Sequence, residues 1–356
     1  MRETLFISSF WAARARPTIG SNCGLRTAYQ DAVQYRIRIR PTACYAAKFN
    51  RIMLVVPEAV RAAIATGLPV VALESTVISH GLPFPQNLDL ARAMEAEVRT
   101  QGALAATIGV VGGVPTLGMS AAQIEHFAQA AGVLKLSRRD IAYAVAMARD
   151  GATTVAATMA LAAAGGVQVF ATGGIGGVHR GAETSWDISG DLTELARTPV
   201  LVVCAGAKSI LDLSATLEYL ETVGVPVLGY QTNAFPAFYS ADSGLPVPAR
   251  ADTPEQVAAI WRAHRTYGGG GGMLLVVPPP AEVALPRGAV EDAIEHALAR
   301  AAEAGVRGQA VTPFLLAAVA EETHGESMRT NIALLRQNAR VAAQVAAAIA
   351  HAGSAT

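Results

Sequence analysis

Charge is scarce in this 356-residue chain: Asp, Glu, Lys and Arg make up 16% of it, against about 25% in an average soluble domain. Hydrophobic residues make up 52%, and a chain this apolar buries a core, which excludes intrinsic disorder. Basic and acidic residues balance at 28 each, and aromatics reach only 6%. That argues against a broad nucleic-acid-binding face, which needs a cationic surface. Cysteine is nearly absent, with three residues and no C-x-x-C pair, so zinc ribbons and disulfide frameworks are excluded. The seven histidines never fall four apart. The longest run without a charged residue, Gly151 to His179, raises the question of a membrane span. It is broken by Gly165-Gly166, Gly173-Gly174 and Gly176-Gly177, so a buried helix, a strand and a glycine loop explain it better. The expectation is a soluble, cytoplasmic protein with no membrane or nucleic-acid partner.

Lysine is the sharpest shortage: Lys48, Lys135 and Lys208 stand against 25 arginines. Arginine stays protonated and cannot act as a nucleophile, whereas a desolvated lysine can lose its proton. A lysine kept against such a bias therefore stands out.

Residues 1–53 carry nine basic residues and two acids. The stretch shows no helical or alternating period, and its Arg-rich, acid-poor composition matches an organelle transit peptide. The plainer reading is that translation starts at Met53 and that 1–52 is an over-called start. On either reading 1–52 is expected to be a dispensable, disordered arm, and 53–356 the functional domain.

From Met53 onward strands and helices alternate. Strands are expected at Pro69–Glu74, Leu104–Val111, Val167–Thr172, Pro199–Cys204, Val225–Gly229 and Met273–Val277. Helices are expected at Asn87–Gln101, from Ser120 to about Ala130, from the Ser137-Arg138-Arg139-Asp140 capping box to about Arg149, and at Thr153–Ala164. Further helices are expected near Leu213–Thr222, at Ala289–Ala304, at Pro313–Thr323 with Thr312 as cap, and at about Met328–Ala350. Apolar strands without polar alternation are buried on both faces. The pattern predicts a layered α/β/α single domain with a central, mostly buried mixed sheet and a helical C-terminal part.

In such sheets ligands gather beyond the carboxyl ends of strands. Glu74 ends the first strand among apolar neighbours, where a carboxyl can hold and deliver a proton, or simply form a structural ion pair. Lys208 follows an apolar strand in AGAKS, a setting for a nucleophilic amine or for an ordinary solvated lysine. Lys135, beside Arg138 and Arg139 at a capped helix start, suits an anion or an ordinary cationic cluster. The segment from Gly173 to His179 and Arg180 is glycine-rich enough to approach a phosphate, yet fits neither nucleotide fingerprint. Thr172 at its start and His179 near its end are expected to contact substrate. In Asp187-Ile188-Ser189-Gly190-Asp191 two carboxylates lie four apart, suited to Mg²⁺ or Mn²⁺ or to a turn with a helix cap.

The motifs together resemble the pseudouridine-5′-phosphate glycosidase family, which includes the indigoidine synthase A proteins. The matching segments include VALESTVISHGLPFPQN (71–87), KLSRRD (135–140), DGATTVAATM (150–159), FATGGIGGVHRGAE (170–183), WDISGDL (186–192), VVCAGAKSILDL (202–213) and SMRTNIALL (327–335). They run in unbroken order from about Val70 to Arg340. The resemblance implies reversible cleavage of the C–C glycosidic bond of pseudouridine 5′-phosphate to uracil and ribose 5-phosphate, through a covalent lysine adduct. It implies Lys208 as nucleophile and Glu74 as proton donor. Substrate contacts fall on Lys135, Val155 and Ser189-Gly190-Asp191, with Asn331 near the base. It also implies Mn²⁺ on Asp187, one per subunit, and a homotrimer. Another Schiff-base lyase or aldolase acting on a sugar phosphate, or a non-catalytic sugar-phosphate binder, would use the same residues.

Overall fold

The computed structural model describes residues 54–306 and 311–353; the expectation for the arm 1–52 lies outside them. The strands are β1 (Val70–Leu73), β2 (Leu104–Val111), β3 (Val114–Leu117), β4 (Leu134–Leu136), β5 (Gly151–Thr153) and β6 (Val169–Ala171). They continue with β7 (Val178–His179), β8 (Leu201–Cys204), β9 (Leu211–Asp212), β10 (Val227–Tyr230), β11 (Ala249–Ala251) and β12 (Met273–Val276). Ten form one sheet in the order β11-β10-β12-β8-β6-β1-β2-β5-β4, with β3 also on β2; β7 and β9 make a small separate ribbon. Every residue of β1, β8, β10 and β12 is buried. That is the signature of strands covered on both faces.

The sheet changes direction where the site will form. From β11 to β2 all neighbours run parallel, but β5 runs antiparallel to β2 and β4 follows β5. The register explains this. β1 is four residues long and β2 eight, and their pairing ends at Leu73 opposite Thr107. The overhanging part of β2 pairs with β5 through Gly109 and Val110. Running backward along that overhang, β5 returns its carboxyl end to the level at which β1 stops. β4 and β5 thus stand as a wall beside the end of β1.

Helices cover the sheet. The Val155–Ala164 helix is mostly buried and lies against β1, β2 and β6. The 28-residue Glu326–Gly353 helix lies against β1, β6 and β8 and packs on the Gln86–Thr100 and Pro254–Tyr267 helices. Its seating is ionic as well as apolar. Arg336 donates through Nε and Nη2 to Glu97 Oε1 at 3.1 and 2.6 Å, and Arg340 donates to Oε2 at 3.1 and 3.0 Å. The Glu97 side chain is only 10% exposed.

The layered, mixed architecture matches the sequence expectation, with local corrections. The Ser137 box forms, but it opens a 3₁₀ turn, Arg138–Asp140, and a short helix, Ile141–Ala146. The chain leaves the helix there and reaches Ala148 in the left-handed region, φ 51°. Thr153 belongs to a strand, and the following helix starts at Val155 with Thr154 at its N-cap. Thr312, expected as a cap, lies inside the Val311–Glu322 helix. Lys135 lies on β4, ahead of the helix start where the sequence pattern put it. Among the helices that the sequence pattern did not mark are Glu58–Ala65 and Pro254–Tyr267. The second carried a readable signal, with Thr253 capping Gln256 N–H and Pro254 at the first helical position.

Burial works against the charge on Glu97, but the two arginines outweigh it and hold its carboxyl below the ordinary carboxylate value. A depressed carboxyl stabilises the fold above its unfolded pKa, and that stability is lost as pH falls through the folded value. Glu97→Gln is expected to cost about 1–3 kcal/mol at neutral pH, in the range of hydrogen bonds to charged groups. Urea unfolding of the two proteins at pH 7 and below pH 4 checks this: the gap should shrink on acidification.

Candidate active site

The end of β1 is built by three consecutive residues with three different tasks. Ser75 is fully buried. Its Oγ donates to Ile108 O at 2.6 Å and accepts Thr153 N–H at 2.9 Å. Thr153 Oγ1 also donates to Ile108 O at 2.8 Å, and Thr158 Oγ1 lies 2.9 Å from Thr153 Oγ1. This chain of hydroxyls ties the strand end to β2, β5 and the start of the Val155–Ala164 helix. Glu74 is partly exposed to the cleft. Thr172 Oγ1 donates to its Oε1 and Thr76 Oγ1 to its Oε2. Thr172 sits beside Glu74 because Leu73 pairs with Ala171 across β1 and β6.

The glycine loop after β6 runs against the loop after β8. Ile175 N donates to Gly206 O at 3.0 Å, and Lys208 N donates to Ile175 O at 3.1 Å. Lys208 is therefore held by backbone bonds between fully buried Ala207 and nearly buried Ser209, and its side chain lines the cleft. The glycines serve packing. A Cβ on Gly174 would come within 2.6 Å of the Phe238 ring, and one on Gly176 within 2.2 Å of Ser189 Oγ. Close approach of protein to protein, more than room for a phosphate, accounts for glycine at these two positions.

Asp191 closes the construction. Its side chain is buried, with Oδ1 accepting Ala156 N–H at 2.9 Å and Oδ2 accepting Gly176 N–H at 2.8 Å. Ser189 caps the Gly190–Arg197 helix by accepting Asp191 N–H, so the helix cap is Ser189 and not Asp191. Asp187, half-exposed, precedes this cap; its carbonyl accepts His179 N–H at 3.0 Å, and its Oδ2 lies 3.8 Å from His179 Nδ1.

Every site residue nominated from the sequence lines one cleft of about 600 Å³. Glu74 and Thr172 come from the carboxyl ends of β1 and β6, Lys208 from the loop after β8, and Lys135 from β4. Val155 stands at a helix N-terminus, and His179, Asp187, Ser189, Gly190 and Asp191 follow the glycine loop. Asn331 comes from the C-terminal helix. Two cations expected nearby are elsewhere: Arg138 pairs with buried Glu194 at 2.5 Å, and Arg180 with Glu291 at 2.6 Å. Arg139 does reach the cleft, as do Thr76, His80 and Thr154, to which the sequence pattern assigns no role. His80 Nε2 and Thr154 Oγ1 are buried without a hydrogen-bond partner.

Burial lowers the pKa of Lys135, and the nearby Lys208 ammonium lowers it further, while Glu74 and Asp191 oppose the shift. The four groups thus share one electrostatic field. Cys204, close in sequence to Lys208, is fully buried, and burial pushes its thiol up to about 12. For a divalent cation the protein offers Asp187 with His179 beside it. Among the described residues no cluster of three His, Cys, Asp or Glu side chains could cage a metal. A hard cation that keeps several waters needs only one or two carboxylates plus substrate oxygens. The donor set fits such an open site and not a closed protein cage.

The chain belongs to the indigoidine synthase A-like family, whose model (Indigoidine synthase A like protein) matches residues 59–348. Among its relatives, the pseudouridine-5′-phosphate glycosidase of Roseiflexus sp. is 68% identical over 84% of this chain and 96% of its own length. That of Herpetosiphon aurantiacus is 65% identical over 83% and 98%. The prealnumycin C-glycosynthase, solved in complex with ribulose 5-phosphate, superposes with a TM-score of 0.81 at 41% identity, over 86% of this chain and 100% of that one. An indigoidine synthase A-like protein from Thermotoga maritima superposes with 0.76 at 35% identity, over 85% and 98%. No helix of the described residues is long and apolar enough to cross a membrane.

The shared field can be read directly, because only three lysines are present. With ¹³C-labelled lysine, the Lys135 side chain is expected to titrate below the ordinary lysine value of 10.5. Lys208→Ala should move that pKa upward, and Glu74→Gln should move it further down. Indifference of Lys135 to both substitutions would disprove the coupling.

Proposed function

We propose that the chain is a pseudouridine-5′-phosphate glycosidase, splitting pseudouridine 5′-phosphate and water into uracil and ribose 5-phosphate, and running the reverse. The observation that carries this reading is the meeting of Lys208 and Glu74 in one cleft, from two parallel strand ends, in a chain 65–68% identical to relatives of that name. The substrate joins sugar and base by a C–C bond. The usual pair of glycosidase carboxylates works by protonating an exocyclic oxygen that leaves. No such oxygen exists here, so nitrogen must provide the electron push.

The unprotonated amine of Lys208 attacks C1′ and displaces O4′, opening the ribose ring, while Glu74 delivers the proton that O4′ takes up. The attached nitrogen returns a proton to Glu74. Its lone pair then forms the C1′–N double bond as the bond from C1′ to the base carbon breaks. Glu74 delivers the same proton to that carbon, and uracil leaves. Water adds to C1′ of the remaining iminium; the carbinolamine collapses to the aldehyde of ribose 5-phosphate, expelling the amine of Lys208, and the proton that this releases returns to Glu74. Lys135 and the Ser189-Gly190 turn bind the phosphate end, and that remote binding orients C1′. Asn331, on the C-terminal helix, serves the base. Asp187, with His179, would hold one divalent cation per subunit, Mn²⁺ in our reading, which supplies positive charge for binding substrate oxygens and water. The assembly would be a homotrimer working in the cytoplasm, and residues 53–356 would suffice for activity.

Incubation with uracil and ribose 5-phosphate should yield pseudouridine 5′-phosphate; failure in both directions would reject the reaction. Borohydride with ribose 5-phosphate should trap one sugar phosphate, mapped by peptide mass to Lys208. Lys208→Arg should be as inactive as Lys208→Ala, because charge survives and nucleophilicity does not. Lys135→Arg should keep turnover with a raised KM, since a phosphate accepts either cation. An adduct on Lys135, or an active Lys208→Arg, would reverse the roles. Chelation should strongly lower activity, with Mn²⁺ restoring it and also giving a bound-metal signal that Asp187→Ala abolishes; full activity of metal-free protein would return Asp187 to a turn residue.

A further inference from the structure

Glu74 leaves the sheet at the end of a four-residue strand. With three rotatable side-chain bonds, a glutamate in that position has no intrinsic reason to hold one pose. Two hydroxyls hold it. Thr172 donates to one carboxylate oxygen and Thr76 to the other. Bonds donated to a carboxylate are the strong kind. Both donors are themselves anchored. Thr172 is fully buried, its N–H donates to Val203 O at 3.0 Å, and its carbonyl accepts from Asn338 Nδ2 at 2.8 Å. Thr76 opens the short Thr76–Ser79 helix, whose Ile78 is buried. That helix is pinned by Ser79 Oγ to Phe127 O at 2.9 Å and by Asn87 Nδ2 to Ile78 O at 2.7 Å.

We infer that Thr76 is a positioning residue for the reaction: together with Thr172 it holds the Glu74 carboxylate in the one pose from which it can reach both the ring oxygen and the base carbon of the substrate. This rests on the reading of Glu74 as the group that moves the proton. It also changes the task of Thr172, whose hydroxyl proton is committed to Glu74 and not to the sugar. A proton that must be delivered to two different atoms in turn demands a fixed donor, since general acid–base catalysis fails when the group strays from hydrogen-bond reach. Threonine suits the task because branching at Cβ restricts its rotamers, so the hydroxyl stays aimed.

The test compares Thr76→Val, which keeps shape and loses the donor, with Thr76→Ser, which keeps the donor. Thr76→Val is expected to lower kcat for pseudouridine 5′-phosphate about 10- to 100-fold, a part of the roughly 10²–10⁴-fold that general acid–base catalysis supplies. KM and the thermal midpoint should stay unchanged, and Thr76→Ser should retain most of kcat. In a Glu74→Ala background the same Thr76→Val change should be silent, because two residues acting through one group are not additive. Three results would each overturn the inference: a wild-type kcat in Thr76→Val, a raised KM at constant kcat, or a full additional loss in the Glu74→Ala background. A wild-type protein inert toward pseudouridine 5′-phosphate would instead overturn the functional reading, and this inference with it.

Discussion

The cleft depends on a buried carboxylate held by two backbone amides. Asp191 takes one backbone N–H from the first turn of the Val155–Ala164 helix and another from the glycine loop, one on each oxygen. A charge at a helix N-terminus is favourably placed, since the amides there lack partners of their own. The same carboxylate faces Lys135 electrostatically. One side chain thus sets the distance between the helix bearing Val155 and the loop that leads to His179 and Asp187, and gives the cationic cleft a counter-charge. Glycine at 176 follows from this, because Ser189 and Asp191 occupy the space a side chain would need.

The reversal of the sheet beside β1 is the second constraint. An all-parallel continuation would carry the carboxyl end of β5 away from Glu74. Because β5 meets β2 only along its overhang, its end returns to the level of β1, and Thr153 can share hydroxyl bonds with Ser75. Lys135, one strand further out on β4, is brought to the same cleft by the same turn. General rules for open sheets place ligands beyond the carboxyl ends of parallel strands. Here two strands that run the other way supply part of the site.

Much of this was legible in advance. The apolar strands β1, β2, β8 and β12 and most of the long helices announced themselves through composition and length, and Lys208 through its rarity. Glu74 was readable as a polar residue ending an apolar strand. β4 and β5 were not, since a three-residue strand carries no period and its partner lies far along the chain. Thr76 was legible only as part of the polar end of the first strand: its hydroxyl acts through Glu74 alone, and sequence spacing does not show that bond. The glycine loop was visible but partly misread. A run of glycines signals close approach, and only the fold reveals that at Gly174 and Gly176 the approaching groups are Phe238 and Ser189.

The C-terminal helix brings Asn331 and Leu335 to the cleft, grips the carbonyl of Thr172 through Asn338, and is anchored to Glu97 across 243 residues of sequence. During synthesis this helix leaves the ribosome after all the other described elements. Until it docks, the cleft lacks a wall and the long-range loop it closes stays open, an arrangement that slows folding in proportion to its non-local contacts. Lys208 and Lys135 are already on the emerged chain by then, in a pocket that still lacks Asn331 and Leu335. Formation of the Glu97 clasp is therefore also the step that completes the wall of the cleft.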